Sequence, residues 1–226
     1  MTPNQVTFLR VVAAFAAVAV FSFFGRLMAA DWAGIALTVI AIGLDGVDGY
    51  IARVRNLATP LGAQLDILGD RVIENLFFTF FAATGLISLW VPVAFFARGA
   101  TTDFLRGLAA RSGRVGFGHE GMLDSRWARL LVASRFSRAA YATLKCVCFC
   151  YLGGLLAISH LESASLVALS LSTLAPIGKA LTGCSLLFCF LRAIPVIWEG
   201  RRFLLSAPGP ATITVANHTP ISGTAR

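Results

Sequence analysis

The chain has 226 residues, a length typical of one domain. Hydrophobic residues make up 57% of it and charged residues only 13%, about half the charged fraction usual in soluble proteins. This composition excludes a disordered chain and is suited to lipid. The net charge of +8 is typical of anionic-lipid contact and the positive-inside rule. It does not predict a nucleic-acid partner, because no basic stripe with interleaved aromatic residues occurs.

Hydropathy predicts an all-α membrane bundle of six transmembrane helices, since a span needs about 20 mostly apolar residues. The predicted spans are 11–24 (extended back through 2–10), 32–52, 66–89, 93–110, 139–158 and 179–198. The apolar run 166–174 is too short to cross, and Pro176 and Gly178 interrupt it. We assign residues 1–205 to one membrane domain and 206–226, rich in Pro, Gly, Thr and Ser, to a flexible tail.

The distribution of arginine predicts the orientation of the bundle. With six crossings, the loops between helices two and three and between four and five share one face with both termini, and they carry most of the arginines. The opposite face carries little beyond Arg26 and Lys179. Cytoplasmic loops are rich in Lys and Arg, so both termini are expected to be cytoplasmic. The first apolar run is expected to be retained, since Asp31 and later spans argue against a cleaved signal peptide.

The cysteines and histidines indicate neither a disulfide framework nor a zinc site. Their spacings match no zinc pattern. The cysteines lie in two apolar runs and are interpreted as small apolar residues of membrane helices: Cys146, Cys148, Cys150, Cys184 and Cys189. The histidines fall in predicted loops or in the tail and are interpreted as surface residues: His119, His160 and His218.

Four of the eleven acidic residues fall in one 26-residue window. Asp45 and Asp48 are spaced i,i+3 near the end of the second helix, and Asp66 and Asp70 are spaced i,i+4 at the start of the third. Either spacing puts both carboxylates on one helical face, and the intervening turn brings the pairs together. Like charges this close need a cation. Carboxylate oxygens suit Mg²⁺, and two-metal sites serve phosphoryl transfer. Solvated charges at helix ends are the alternative.

Small and basic residues accompany these carboxylates. Gly46, Gly49 and Gly62 allow a backbone or a ligand to approach closely, although tight helix packing would need them too. Arg53 carries a planar fork that suits phosphate oxygens. Anchoring at the membrane interface is the alternative for Arg53.

Together these residues match the signature D-x2-D-G-x2-A-R-x8-G-x3-D-x3-D, and the chain resembles the CDP-alcohol phosphotransferase family. All eight fixed positions are present, which makes chance agreement negligible: Asp45, Asp48, Gly49, Ala52, Arg53, Gly62, Asp66 and Asp70. The resemblance implies a six-helix membrane enzyme. Such an enzyme transfers a phosphatidyl or similar group from a CDP-linked donor to an alcohol and releases CMP.

The resemblance also implies roles for individual residues. Asp45, Asp48 and Asp66 would be ligands of two Mg²⁺ or Mn²⁺ ions. Asp70 would contact the second metal and act as the general base on the acceptor hydroxyl. The CDP moiety would be held by Gly49, Ala52, Arg53 and Gly62. The family further implies a homodimer, acting in a bacterial inner membrane with the active site facing the cytoplasm.

The acceptor alcohol is read from weaker resemblances. The start Asn4-x2-Thr7-x2-Arg10 is similar to that of phosphatidylglycerophosphate synthases, which favours CDP-diacylglycerol as donor and sn-glycerol 3-phosphate as acceptor. Asp70-Arg71-x2-Glu74 instead resembles the D-R-x2-E of members that accept inositol phosphate. That acceptor, or another alcohol, stays open as an alternative.

Three arginines near one membrane face are predicted to bind the acceptor phosphate: Arg106, Arg138 and Arg192. Positive-inside anchoring is the alternative for Arg106 and Arg138. It is weaker for Arg192, which lies about two turns inside the sixth span. Arg98 and Asp103 are expected to pair or to face the bundle and receive no role.

Other classes of function remain in competition. A small transporter or channel could use intramembrane carboxylates for cations, but the four Asp lie at one membrane face and no inverted repeat is visible. An inactive scaffold of the same fold would be expected to lack one of the Asp. A different CDP-linked donor would need the same apolar groove, so the sequence leaves the donor lipid open.

Overall fold

A computed structural model describes residues 2–25, 27–54, 59–111, 125–160 and 164–205, and the side chains of 47–54 and 164–171 lie outside that description. Within these ranges the chain is all-helical, which confirms the all-α part of the predicted fold class. The helices are α1 (Pro3–Phe24), α2 (Met28–Val54), α3 (Pro60–Ala83), α4 (Trp90–Arg111), α5 (Arg126–Ala133), α6 (Arg135–Ser159) and α7 (Ala164–Leu205). The predicted tail, 206–226, lies outside the described residues.

In the described ranges, four segments are long and apolar enough to cross a membrane, which identifies a membrane protein: Asn4–Phe24, Met28–Gly46, Trp127–Ser159 and Ser172–Arg202. The other two predicted spans fall on α3 and α4. Each of those helices carries four charged residues, which lowers its hydropathy. The structure therefore supports four of the six predicted spans, and the remaining two, like the orientation, stay predictions.

The C-terminal helix differs from the prediction. The sequence predicted a break at Pro176 and Gly178, but α7 runs unbroken from Ala164 to Leu205 with Pro176 and Pro195 inside it. Proline is tolerated in helices of the membrane because neighbouring groups satisfy the freed carbonyls. The apolar run 166–174 is thus the first part of a long helix. The predicted loop 111–129 also contains the start of α5.

An aromatic core joins the middle of the bundle. Phe78 of α3 lies between Phe95 of α4 and Phe149 of α6, with ring centroids 4.2 and 4.7 Å apart. Phe77 stacks on Phe149 from the other side at 4.9 Å. All four rings are buried. Aromatic pairs at these separations are worth about 0.5–1.5 kcal/mol beyond their buried area, so the rings fix α3 against α4 and α6.

Asp31 and His160 lie close together at the end of the bundle away from the four Asp. Asp31, in the first turn of α2, is 3% exposed. Its Oδ1 lies 3.5 Å from Nδ1 of His160, the residue that ends α6. His160, interpreted as a surface residue, is thus only partly exposed, with 25% of its side chain accessible beside Asp31. His160 ends α6, and Asp31 lies in the first turn of α2.

Candidate active site

Local signals at the start of α3 place two carboxylates. The helix begins at Pro60, the position where a missing N–H costs nothing. The Thr59 hydroxyl caps it by accepting a hydrogen bond from the Gly62 N–H at 3.0 Å. Asp66 and Asp70 then follow on the second and third turns, on one face. Asp45 comes from α2, nine residues before that helix ends at Val54.

Three predicted metal ligands converge at this end of the bundle. One carboxylate oxygen each from Asp45, Asp66 and Asp70 lies within 4.8 Å of the other two. Their side chains are between 36% and 48% exposed, so they face an open space and are not sealed inside the bundle. The structure thus brings together three of the four predicted ligands. The side chain of Asp48 lies outside the described residues.

A fourth charged group stands among them, and the sequence reading missed it. Arg10 of α1 is fully buried. Its guanidinium forms ion pairs with Asp45, with Asp66 at 2.7 Å and with Asp70 at 3.4 Å. It also donates to the main-chain carbonyl of Asp66 at 2.8 Å. The N-x2-T-x2-R pattern was visible in the sequence, but it was read as a clue to the acceptor.

The carboxylates line a cavity of about 220 Å³. Residues of α2, α3, α4, α6 and α7 surround this cavity, and all three predicted acceptor arginines line it: Arg106, Arg138 and Arg192. Acidic and basic residues therefore line one space. Such a lining can hold both a divalent cation and an anionic group.

The three arginines are held in different ways. Arg106 pairs with Asp103 at 3.2 Å. Arg192 donates to the carbonyls of Val132 at 3.0 Å and Ser137 at 3.2 Å, which ties α7 to the junction of α5 and α6. Arg138 is exposed and faces the cavity without a described contact to an acid. Arg106 and Arg192 therefore make contacts that hold the cavity wall together, whereas Arg138 lines the cavity without a described ion pair.

A buried polar network forms the base of the cavity. Glu74 is 1% exposed, accepts a hydrogen bond from Tyr141 at 2.5 Å and pairs with Lys145 at 3.3 Å and Arg71 at 3.2 Å. Arg71 in turn donates to Asp103 at 2.8 Å. In the sequence, Arg71 and Glu74 were considered as part of the D-R-x2-E resemblance. Lys145 inside an apolar run was the missed signal, since an intramembrane cation needs a partner.

Of the residues predicted to hold the CDP moiety, only Gly62 has described surroundings. Gly49, Ala52 and Arg53 lie in the last turns of α2, and their side-chain surroundings fall outside the described residues. Gly62 lies in the first turn of α3. A Cβ there would stand 3.0 Å from the Asn4 Oδ1 atom and from the Thr59 Oγ1 atom. A larger residue would therefore disturb both the cap of α3 and the contact with α1.

The three carboxylates fit a hard divalent cation. All the donors are carboxylate oxygens, which Mg²⁺ and Mn²⁺ prefer over Zn²⁺-type nitrogen and sulfur sets. The oxygens are already close enough to share one ion. Arg10 neutralises only part of the negative charge of the three carboxylates. The residual negative charge favours binding of a cation.

The family of the chain follows from this site and from sequence comparison. The sequence model of the CDP-alcohol phosphatidyltransferase family matches residues 1–198. The chain belongs to the CDP-alcohol phosphatidyltransferase family. As in that family, it is a membrane enzyme, a transferase of phospholipid biosynthesis.

Two curated relatives point to one branch. The chain is 29% identical over 142 residues to a CDP-diacylglycerol–glycerol-3-phosphate 3-phosphatidyltransferase of Bacillus subtilis, covering 58% of this chain and 74% of the relative. It is 37% identical over 71 residues to an enzyme of the same name from Cereibacter sphaeroides, covering 31% of this chain and 32% of that relative.

Proposed function

We propose that the enzyme transfers the phosphatidyl group of CDP-diacylglycerol to sn-glycerol 3-phosphate and releases CMP. The observation that carries this proposal is the cavity, which is lined both by the carboxylates and by the three arginines. The names of both curated relatives favour the same donor and acceptor. In this reaction the acceptor hydroxyl oxygen bonds to the phosphatidyl phosphorus, and the bond from that phosphorus to the CMP oxygen breaks.

Asp45, Asp48, Asp66 and Asp70 hold two Mg²⁺ or Mn²⁺ ions in this proposal. When bound, such ions neutralise a pyrophosphate and stabilise the negative charge that develops on the leaving CMP. The support from this chain is the all-oxygen donor set of Asp45, Asp66 and Asp70. Asp48 joins it through the family signature.

Asp70 acts as the general base. Its carboxylate lines the cavity with the three arginines, so an acceptor whose phosphate is held by the arginines can present a hydroxyl to it. The base takes the hydroxyl proton as the new oxygen–phosphorus bond forms, which requires an approach of about 3 Å. Gly49, Ala52, Arg53 and Gly62 bind the CDP moiety at the end of α2 and the start of α3.

Arg106, Arg138 and Arg192 bind the phosphate of the acceptor. Arginine suits this role because its fork of donors matches phosphate oxygens. The cavity of about 220 Å³ admits a small phosphorylated alcohol. An inositol phosphate is the second candidate. In its D-R-x2-E motif, however, Arg71 pairs with both Glu74 and Asp103, so Arg71 and Glu74 build the cavity wall.

The membrane arrangement completes the proposal. Six spans, with α3 and α4 added to the four apolar segments, place both termini and the carboxylates on the cytoplasmic side, where polar substrates occur. The enzyme acts as a homodimer in a bacterial inner membrane. Reporter fusions at Met1 and after Leu205 test the orientation, because both must report the cytoplasm.

The test of function is CMP release by the purified protein in detergent with Mg²⁺ or Mn²⁺ and CDP-diacylglycerol. The acceptor panel contains sn-glycerol 3-phosphate, inositol 1-phosphate, inositol, serine and phosphatidylglycerol. We expect release with sn-glycerol 3-phosphate and loss of release in EDTA. Release with inositol 1-phosphate alone would replace the acceptor. Cation flux through sealed vesicles without CMP release would favour a transporter instead.

A further inference from the structure

The carboxylate cluster contains a cation that belongs to the protein itself. Arg10 is 0% exposed, yet a buried guanidinium is costly unless its charge and its donors are matched. Here the match comes from two helices. Asp45 on α2 and the pair Asp66 and Asp70 on α3 all form ion pairs with it. A single side chain of α1 therefore joins α2 to α3 at the site.

The rest of the N-x2-T-x2-R pattern supports this placement. Asn4, Thr7 and Arg10 recur every three residues, so they share one face of α1. That face packs on two glycines of α3 that lie seven residues apart. A Cβ at Gly62 would stand 3.0 Å from Asn4 Oδ1, and a Cβ at Gly69 would stand 3.1 Å from both Arg10 Nη2 and Thr7 Cγ2. The glycines let α1 approach closely enough for Arg10 to reach the carboxylates.

We propose that Arg10 is a positioning residue that holds the carboxylates together when no divalent cation is bound and that competes with the cation for them. The three carboxylates that bind a metal in the proposed function are the ones with which Arg10 forms ion pairs. The inference rests on that function for its second half only. The first half, that Arg10 stabilises the metal-free site, stands on the ion pairs alone.

Competition follows from the charges. Three carboxylates share one guanidinium, and each gives up part of that pairing when it turns to a metal ion. Removing the charge of Arg10 takes away the ion pairs that it makes with all three carboxylates, so their mutual repulsion rises. The metal-free protein then loses stability, and binding of a divalent cation is expected to restore more stability in this variant than in the wild type. A residue that only packed α1 against α3 would have no such dependence on metal.

The test compares the wild-type protein with Arg10→Gln and Arg10→Lys by thermal unfolding in detergent. In EDTA we expect the Tm of Arg10→Gln to fall by about 10 °C and that of Arg10→Lys to fall less, because the charge is kept. Saturating Mn²⁺ is expected to raise the Tm of Arg10→Gln more than that of the wild type. We expect the Mn²⁺ Kd of Arg10→Gln, measured by electron paramagnetic resonance, to be about tenfold lower than that of the wild type.

The double variant Arg10→Gln/Asp45→Asn keeps the proposal testable if Arg10→Gln is too unstable to purify. Removing one carboxylate relieves the repulsion, so its Tm in EDTA should exceed that of Arg10→Gln, a coupling that a packing role would not produce. Equal losses of Tm in EDTA and in Mn²⁺, or no gain in the double variant, would overturn the proposal. If Mn²⁺ moves no Tm even in the wild type, the metal assignment fails. In that case the EDTA series still decides whether Arg10 holds the cluster.

Discussion

Glu74 and Tyr141, which are 67 positions apart in the sequence, share a buried hydrogen bond of 2.5 Å. The bond joins α3 to α6 beneath the proposed acceptor pocket. Lys145 and Arg71 add two cations to the same carboxylate, at 3.3 and 3.2 Å. Because the carboxylate is 1% exposed, water cannot replace a missing partner. Glu74 therefore balances Lys145 and Arg71 in the wall of the pocket, while Asp103 pairs with Arg71 and Arg106.

Replacement of Glu74 tests this balance. Glu74→Ala leaves Lys145 and Arg71 without their shared partner, and breaking such a buried pair costs about 3–5 kcal/mol. Tyr141→Phe removes one hydrogen bond and leaves the charges balanced, with an expected cost of about 1–2 kcal/mol. Thermal unfolding in detergent ranks the two variants. An equal or larger loss in Tyr141→Phe would show that charge balance is not what Glu74 supplies.

Substitution of a metal ligand tests the carboxylate cluster. Asp66→Asn keeps the size of the side chain and removes its charge, so CMP release should fall by at least about a hundredfold while the protein remains folded. The matched control is Asp31→Asn, the same change at the far end of α2, 3.5 Å from His160 and away from the cavity. Its activity per folded molecule should stay near that of the wild type. Near-full activity of Asp66→Asn would remove Asp66 from the proposed metal site.

Local and periodic features of this chain were predictable from the sequence. The spacing of Asp45, Asp66 and Asp70 put each carboxylate on the correct face, because helical periodicity is set by the backbone alone. The all-helical class followed from the apolar composition. The three arginines were expected to share a pocket, and in the structure they line one cavity with the carboxylates.

Contacts between distant segments were harder to predict. Arg10 reaches Asp45 and Asp66 from 35 and 56 positions away, and nothing in its local sequence indicates which acid it meets. The continuity of α7 was missed for a different reason. Pro176 breaks helices in water, but in the membrane the alternatives for the backbone are poorer. Local rules thus fail where lipid or a remote helix supplies the deciding interaction.

Arg192 offers a test of the acceptor pocket. Because Arg192 lines the cavity and makes no described contact with the carboxylates of Asp45, Asp66 and Asp70, Arg192→Ala should raise the KM for sn-glycerol 3-phosphate about tenfold or more and change the KM for CDP-diacylglycerol little. Arg192→Lys keeps the charge but loses the fork that reaches Val132 and Ser137, so it should recover part of the loss. Steady-state CMP release with each substrate varied in turn gives both constants. An unchanged acceptor KM would mean that Arg192 only connects α7 to α6 and does not bind the acceptor.

Alanine substitutions at two glycines of α2 distinguish the effect of close helix packing from the effect of helix propensity. A Cβ at Gly34 would stand 2.7 Å from the ring of Phe21, whereas a Cβ at Gly43 would meet nothing within 4 Å. Phe21 has no room to move, since it is 3% exposed and stacks on Phe80 at 5.9 Å. Gly34→Ala should therefore cost about 1–3 kcal/mol by overpacking, seen as a lower Tm in detergent. Gly43→Ala should leave the Tm unchanged or raise it slightly, because alanine favours the helix. Equal effects of the two changes would mean that α1 and α2 are not packed through Gly34.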